Sequence, residues 1–505
     1  MKRLYCIVLA ILVITPHALH AVTYISSLSL NQSAATGQAM YQINTKGTYV
    51  ISEDLDLSPT NNNVIGIRIS SSNVTLNFNE YTINEIASAP GNCAAAIQVD
   101  AGLSNIIIKG AFSSLVKTET GNNGQITGIY GDGILVNTGV SNLIIDGITI
   151  IGCGKYGINV TSATNTTIDD VIVAAGTGLH PSATDGSMGL RLVGCKDTHV
   201  SRSTFQNNGS ANINATGAYI SNCTYCTFKN CSSVGNTGRS AIGFRITGTS
   251  QACSLSSCVA SSNTSSTNAC KGISIEYSLH NECVGCEAYA NASSGSSIYA
   301  FYLDNGSYNQ INNCSAHNQF STSTSVPSEV IGFYSTQGTA NKFDYCSAIA
   351  NTGVSTIATA TVAGFTLRNG EKNSTISKCQ SSNNNAYNGT AYGIMLGNTT
   401  DIADVLNCIV RSNKMLYNNG VTAKYGYRDF AINSTTLLQQ NLAVGHGPCY
   451  PSESDPFTVT TTMNFMFQFT GTNRYPGRII SETDVAVIGF DTTNTNLSVV
   501  ETALT

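Results

Sequence analysis

Cysteine recurs at one place in a repeating frame: Cys231, Cys258, Cys286, Cys314, Cys346, Cys379 and Cys408. Each stands three residues after an apolar residue: Phe228, Leu255, Cys283, Ile311, Phe343, Ile376 and Val405. The steps between the cysteines are 27, 28, 28, 32, 33 and 29 residues. A self-similar period of this length marks a solenoid, because each repeat buries its apolar face only against its neighbours.

The frame extends beyond the cysteines. Upstream it reads Asn73-Val74-Thr75-Leu76, Asn105-Ile106-Ile107-Ile108, Asn142-Leu143-Ile144-Ile145 and Asn165-Thr166-Thr167-Ile168. Two residues after each cysteine comes a small or apolar side chain (Ser233, Ala260, Ala288, Ala316, Ala348, Val410). Asparagine often follows near the fifth position, as at Asn236, Asn263, Asn291, Asn351 and Asn413. Before each anchor runs a glycine-led alternating segment, such as Gly189-Leu190-Arg191-Leu192 or Gly272-Ile273-Ser274-Ile275. Period-two alternation bounded by Gly, Asn and Ser predicts short half-buried strands rather than helices. An antiparallel sandwich would need hairpin signals every ~10 residues and would not hold one residue type in register over so long a period. Identical frame positions should therefore stack roughly 4.8 Å apart along the solenoid axis, with the cysteines forming an inward ladder.

Composition excludes some classes. Charged residues make up only 10% and Trp is absent, yet the apolar alternation persists, which separates the chain from disordered polar sequences. The formal net charge is −5 and the 24 Lys and Arg residues form no basic stripe, so nucleic acid is not expected as a partner.

The repeat resembles the Gly-Φ-x-Φ…Φ-x-x-Asn pattern of the right-handed parallel β-helix in the pectate-lyase-like superfamily. Cysteine mostly stands where that pattern places a stacking asparagine, and Asn441, three after Leu438, keeps the family residue. The stretch from Ile67 to Ile83 is similar to the opening coils of such proteins. The resemblance covers about residues 45–446 and implies an all-β β-solenoid of about a dozen coils, with an N-terminal cap and a short C-terminal tail. It implies little about activity, since one fold hosts many functions.

The expected organisation is a signal peptide over residues 1–21, a cap over 22–48, the β-helix over 49–446 and an extension over 447–505. Lys2 and Arg3, the apolar stretch Leu4–Ile14 and Ala18-Leu19-His20-Ala21 read as a secretory signal. That apolar run is too short to span a bilayer, so an exported chain (periplasmic, cell-surface or secreted) that is not transmembrane is expected. The cap and the extension should cover the open sheet edges of the solenoid.

In an oxidising compartment, cysteines at these spacings suggest disulfides. A column of buried thiols would instead behave as small hydrophobes, although stacked neighbours lie within bonding range of one another. Cys195 with Cys223 and Cys226 with Cys253 share frame positions in successive coils and are the better disulfide candidates. Cys223-x-x-Cys226 and Cys283-x-x-Cys286 look like metal or redox pairs in isolation, but the frame accounts for both. No metal or cofactor is expected.

In β-helix polysaccharide enzymes of the resembling family, substrate lies across the outer face of the glycine-led strands. The corresponding column here supplies Tyr219, Arg245, Tyr302 and Tyr334, with Glu276, Asp304 and Arg368 two residues further along their strands. Tyrosine faces suit the apolar faces of pyranose rings, and the charges suit hydroxyls or carboxylates. The same residues also fit a solvated strand face, where tyrosine is simply a good β-former. Asp132-Gly133-Ile134 is similar to the start of a catalytic strand in polygalacturonases, and Asp185 follows two coils on, roughly 10 Å away. Lys155 or Arg191 would then hold a uronate carboxylate. Three readings stay open: non-catalytic binding of a polysaccharide, cell-surface glycan or surface protein; a polysaccharide hydrolase or lyase using Asp132, Asp185 and Arg191; and a structural surface protein.

Overall fold

The computed structural model describes residues 22–87, 89–110, 124–177, 186–323, 329–355, 360–397 and 405–416, with short stretches between 419 and 489. Every strand pairing in the main body is parallel, and each strand pairs with its counterparts one coil before and one coil after. Three long sheets of 15, 14 and 15 strands run the length of the chain, and a fourth of 7 strands appears midway. The chain folds as a right-handed parallel β-helix. We call the sheet of apolar anchors the anchor sheet and that of the glycine-led strands the face sheet; the third sheet lies between them in chain order.

One coil shows the path. Thr227–Lys229 lies in the anchor sheet, Ser232–Val234 in the third sheet, Thr237–Gly238 in the short fourth sheet and Ala241–Thr247 in the face sheet. The next coil begins at Ser254–Ser256, back in the anchor sheet. Inward side chains stack like on like: Phe333 lies face to face with Phe301 at 4.7 Å and with Phe365 at 4.8 Å between ring centroids. Such stacking lets one continuous apolar core, from Ile25 to Tyr427, grow along one axis.

The cysteine ladder is present with six rungs. Phe228, Leu255, Cys283, Ile311, Phe343 and Ile376 are successive register partners, so Cys231, Cys258, Cys286, Cys314, Cys346 and Cys379 follow in step, each no more than 2% exposed. Each of these thiols donates to a carbonyl of the preceding coil, as Cys314 Sγ does to Cys283 O at 3.5 Å. Some also accept, as Cys314 Sγ does from Cys286 N at 3.3 Å. They satisfy backbone groups at a turn, the work a stacking asparagine would do.

Cys408 is not the seventh rung. Ile376 pairs with Val410 rather than Val405, which puts Asn413 beside Cys379, and Cys379 N donates to Asn413 Oδ1 at 2.8 Å. Asn413 is in turn followed by Asn441, at 2.9 Å from amide to carbonyl oxygen. The sequence offers two apolar-x-x-polar frames five residues apart, Val405–Cys408 and Val410–Asn413, and strand register selects the second. A separate asparagine ladder runs through Asn208, Asn236, Asn263 and Asn291 at the turn after the third sheet, each side-chain amide donating to the next carbonyl at 2.8–3.0 Å.

All fifteen described cysteines are buried free thiols. Cys195 and Cys223 are stacked as expected, with Cys195 N donating to Cys223 Sγ at 3.3 Å, and Cys226 stacks on Cys253 beside the register pair Thr227 and Ser254. Neither pair is disulfide-bonded in the structure. At the N-terminal end, Val22–Ile25 and Ala39–Ile43 already pair in register with Gly47–Ile51 and Val64–Ile69, so segment 22–48 contributes strands to the sheets it was expected to cap. Most of the 447–505 extension lies outside the described residues.

Candidate functional site

A glycine near the start of most face strands determines what the face displays. A Cβ added at Gly157 would sit 2.1 Å from Val173 Cγ1 in the core, and the next residue, Ile158, is fully buried as well. Two consecutive inward positions break the simple alternation. The residue before the glycine is therefore turned outward, and the face carries three outward columns instead of two. Tyr156, Lys271 and Tyr299 belong to the extra column, which period-two counting assigns to the interior.

Lys271 is the most consequential of these. Its Nζ lies 2.8 Å from Glu276 Oε1, while Arg245 Nη2 lies 2.6 Å from Glu276 Oε2 and Ser274 Oγ donates to Oε1 at 2.6 Å. Burial works against ionising the Glu276 carboxyl, but the two cations and these hydrogen bonds prevail and hold it down at about 2. At neutral pH it is a carboxylate pinned between two cations, which suits positioning rather than proton transfer. Burial pushes the Lys271 ammonium below its ordinary value and the Asp304 carboxyl above its own.

Cations and tyrosines interleave along the face. Lys271 Nζ sits 3.6 Å from the Tyr302 ring centroid, and the Arg245 guanidinium 5.7 Å from that of Tyr219. Arg368 lies over Tyr334 at 5.5 Å and Arg191 over Tyr156 at 5.3 Å. Tyr302 and Tyr334 stack at 5.2 Å with an interplanar angle of 4°, and the Tyr302 hydroxyl donates to Asp304 at 3.3 Å. Contacts of this kind fix long side chains that would otherwise wander.

The structure gathers Tyr219, Arg245, Glu276 and Asp304 around one open cavity of about 380 Å³, which Lys271 and Tyr277 also line. Tyr277 is 57% exposed at its mouth. Tyr302, one coil along from Ser274 on the same sheet, joins through its contact with Lys271. Tyr334 and Arg368 do not line this cavity; they stand further along the sheet, buried, where Tyr334 packs with Ile331, Ala363, Tyr392 and Met395.

The proposed catalytic residues are dispersed differently. Asp132 is 2% exposed, accepting from Asn159 Nδ2 at 3.0 Å and from Tyr156 N at 3.3 Å. Burial pushes its carboxyl up to about 6, against the opposing pull of Asn159, Lys155 and Arg191. Arg191 reaches Asp132 only through Asn159, whose Oδ1 accepts from Arg191 Nη1 at 3.0 Å. Asp185 lies outside the described residues. Among the described residues no group of three or more His, Cys, Asp or Glu side chains is placed to hold a metal ion, and no helix is long and apolar enough to cross a membrane.

No family model and no curated protein matches the sequence. Solved structures with a similar course include the A-module of mannuronan C-5 epimerase AlgE4 from Azotobacter vinelandii, at 13% identity and a TM-score of 0.38 over 79% of this chain and 91% of that one. The periplasmic alginate epimerase AlgG aligns at 12% identity and a TM-score of 0.38, covering 83% of each chain. Pectate lyase Pel9A aligns at 11% identity and 0.26, over 67% of this chain and 77% of that one. The fold assignment rests on the strand register: an all-parallel β-helix in which each strand pairs with its counterparts in the coils before and after it.

Proposed function

We propose that this is an exported β-helix protein that binds glycan, free or on a cell surface, in the open cavity of its face sheet without transforming it. One observation carries the reading: tyrosine faces and a fixed Arg245–Glu276–Lys271 centre converge on one open cavity of about 380 Å³. Sites of this make-up suit saccharides, because rings stack on aromatic faces while preset charges take the hydroxyls. Glu276, held ionised between two cations, is a poor general base near neutral pH. Export is the reading of the segment around Lys2, Arg3 and Leu4–Ile14.

The test is retention on an array of acidic and neutral oligosaccharides. Native protein should be retained on a subset, Tyr219→Ala and Tyr277→Ala should each weaken retention, and no product should form. Retention nowhere would leave the structural surface-protein reading.

A polysaccharide hydrolase or lyase is the second reading, favoured by the raised carboxyl of Asp132 beside Lys155 and Arg191. It requires new reducing ends or unsaturated uronate absorbance on some polysaccharide, abolished by Asp132→Asn or by Asp185→Ala.

A further inference from the structure

Two coils beyond Asp304 at the edge of the open cavity, roughly 10 Å along the axis, the face sheet buries polar groups that have no hydrogen-bond partner among the described residues. Arg368 is 4% exposed and its Nη1 donates to Glu329 Oε1 at 2.9 Å, but its Nε and Nη2 make no hydrogen bond. Thr336, its register partner, is 5% exposed, and Thr366, on its own strand, is 0% exposed; neither hydroxyl has a partner. The Tyr334 hydroxyl comes near Thr336 and Arg368, close enough to affect its ionisation, yet it meets hydrogen-bond geometry with neither. Buried donors left unpaired destabilise a fold, charged ones most of all. Such a cluster in one spot therefore points to an occupant.

The geometry narrows the occupant. Nε–H and the neighbouring Nη2–H lie on one edge of the guanidinium and form the fork that grips two oxygens of one group at once. Glu329 occupies Nη1 and is itself held by the Tyr299 hydroxyl at 3.0 Å, which leaves the Nε–Nη2 edge unused beside Thr336, the register partner of Arg368, and Thr366, two residues before it on its own strand. We propose that Arg368, Thr336 and Thr366 form an enclosed oxyanion site, with the free guanidinium edge taking two oxygens and the hydroxyls a third contact. The site is separate from the glycan cavity, and its existence does not depend on that reading. Because Glu329 already neutralises Arg368, the oxyanion competes with Glu329 for the guanidinium charge.

That competition supplies the test. The melting temperature of the full-length protein would be followed against sodium acetate, sulfate and glucuronate, with chloride holding ionic strength constant. At least one oxyanion should give a saturable rise. Glu329→Gln should tighten the apparent affinity about tenfold or more, because the guanidinium charge is released. Thr366→Val should weaken it about tenfold, the worth of one hydrogen bond to a charged partner, and Arg368→Gln should abolish it. Should Arg368→Gln fail to fold, the opposite shifts in Glu329→Gln and Thr366→Val carry the decision. A response to acetate or sulfate assigns a free ion, whereas one to glucuronate alone assigns an oxyanion carried on a sugar. No saturable response to any of the three, or affinities unchanged in Glu329→Gln and Thr366→Val, would overturn the proposal.

Discussion

Two stretches of the face sheet share one backbone and display opposite surfaces. From Thr216 to Glu276 the outward columns hold Tyr219, Arg245, Lys271 and Glu276 around an open cavity. From Ile331 to Met395 the same columns are mostly aromatic and aliphatic: Ile331, Tyr334, Ala363, Tyr392 and Met395 pack together, no more than 7% exposed, with Thr336, Thr366 and Arg368 buried among them. Phe244, Ile273, Phe301, Phe333 and Phe365 continue a buried apolar column beneath both, so the interior does not decide the difference. The outward residue types do: a charged lattice needs solvent or ligand to complete its hydrogen bonds, whereas an aromatic and aliphatic set gains by closing on itself. In a solenoid each coil contacts only its neighbours, so a binding segment and a sealed segment can sit on one sheet without disturbing each other.

The sealed stretch should respond most strongly to truncation. Tyr334→Ala removes a buried ring stacked on Tyr302 and should cost about 3–5 kcal/mol in urea unfolding. A loss under 1 kcal/mol would mean the stretch is not packed as described.

In the open stretch, Glu276→Gln leaves Lys271 and Arg245 without their shared partner and should cost about 3 kcal/mol at neutral pH. The same carboxylate gives a pH signature. Its pKa in the fold, about 2, lies below the unfolded value of about 4.3. Its contribution is therefore present in full above that unfolded value and is lost as the pH falls towards 2. The native protein should lose stability through that window, and Glu276→Gln should lose less.

Asp132 predicts the reverse sign on the same sheet. Burial raises its carboxyl to about 6, above the unfolded value of about 3.9, so the ionised form is a burden in the fold. Native stability should rise as the pH drops from 7 through 6 and level off near 4. Asp132→Asn should add about 2 kcal/mol above pH 7 and nothing below pH 4, as read by unfolding at each pH. The smallest effect belongs to Tyr219→Ala, at the cavity and partly exposed: stability should change by less than about 0.5 kcal/mol, with the loss appearing in glycan retention instead.

Much of this architecture is legible in the residues. The period of the cysteines and their apolar partners specifies the coils, and Cys231 through Cys379 stack where their spacing puts them. Legibility fails where two frames fit equally well. Val405–Cys408 and Val410–Asn413 both satisfy the repeat, and only pairing with Ile376 and Leu438 distinguishes them. The face was half legible. Tyr219, Arg245, Glu276 and Asp304 are found by alternation, but Lys271 is not, because Gly272 and Ile273 both turn inward and reverse its side. The residue before a strand-opening glycine is the signal that could have revealed it. Exposure of Tyr334 and Arg368 was beyond reach, since burial of an outward side chain depends on neighbours more than thirty residues away in sequence.

The claim that the open cavity is the binding site is tested most directly by a crystal structure of the protein soaked with an oligosaccharide retained on the array. The account predicts a sugar ring against Tyr219 or Tyr277, with its polar groups on Arg245 or Lys271. Sugar bound at another sheet, or over the sealed stretch at Tyr392 and Met395, would contradict it.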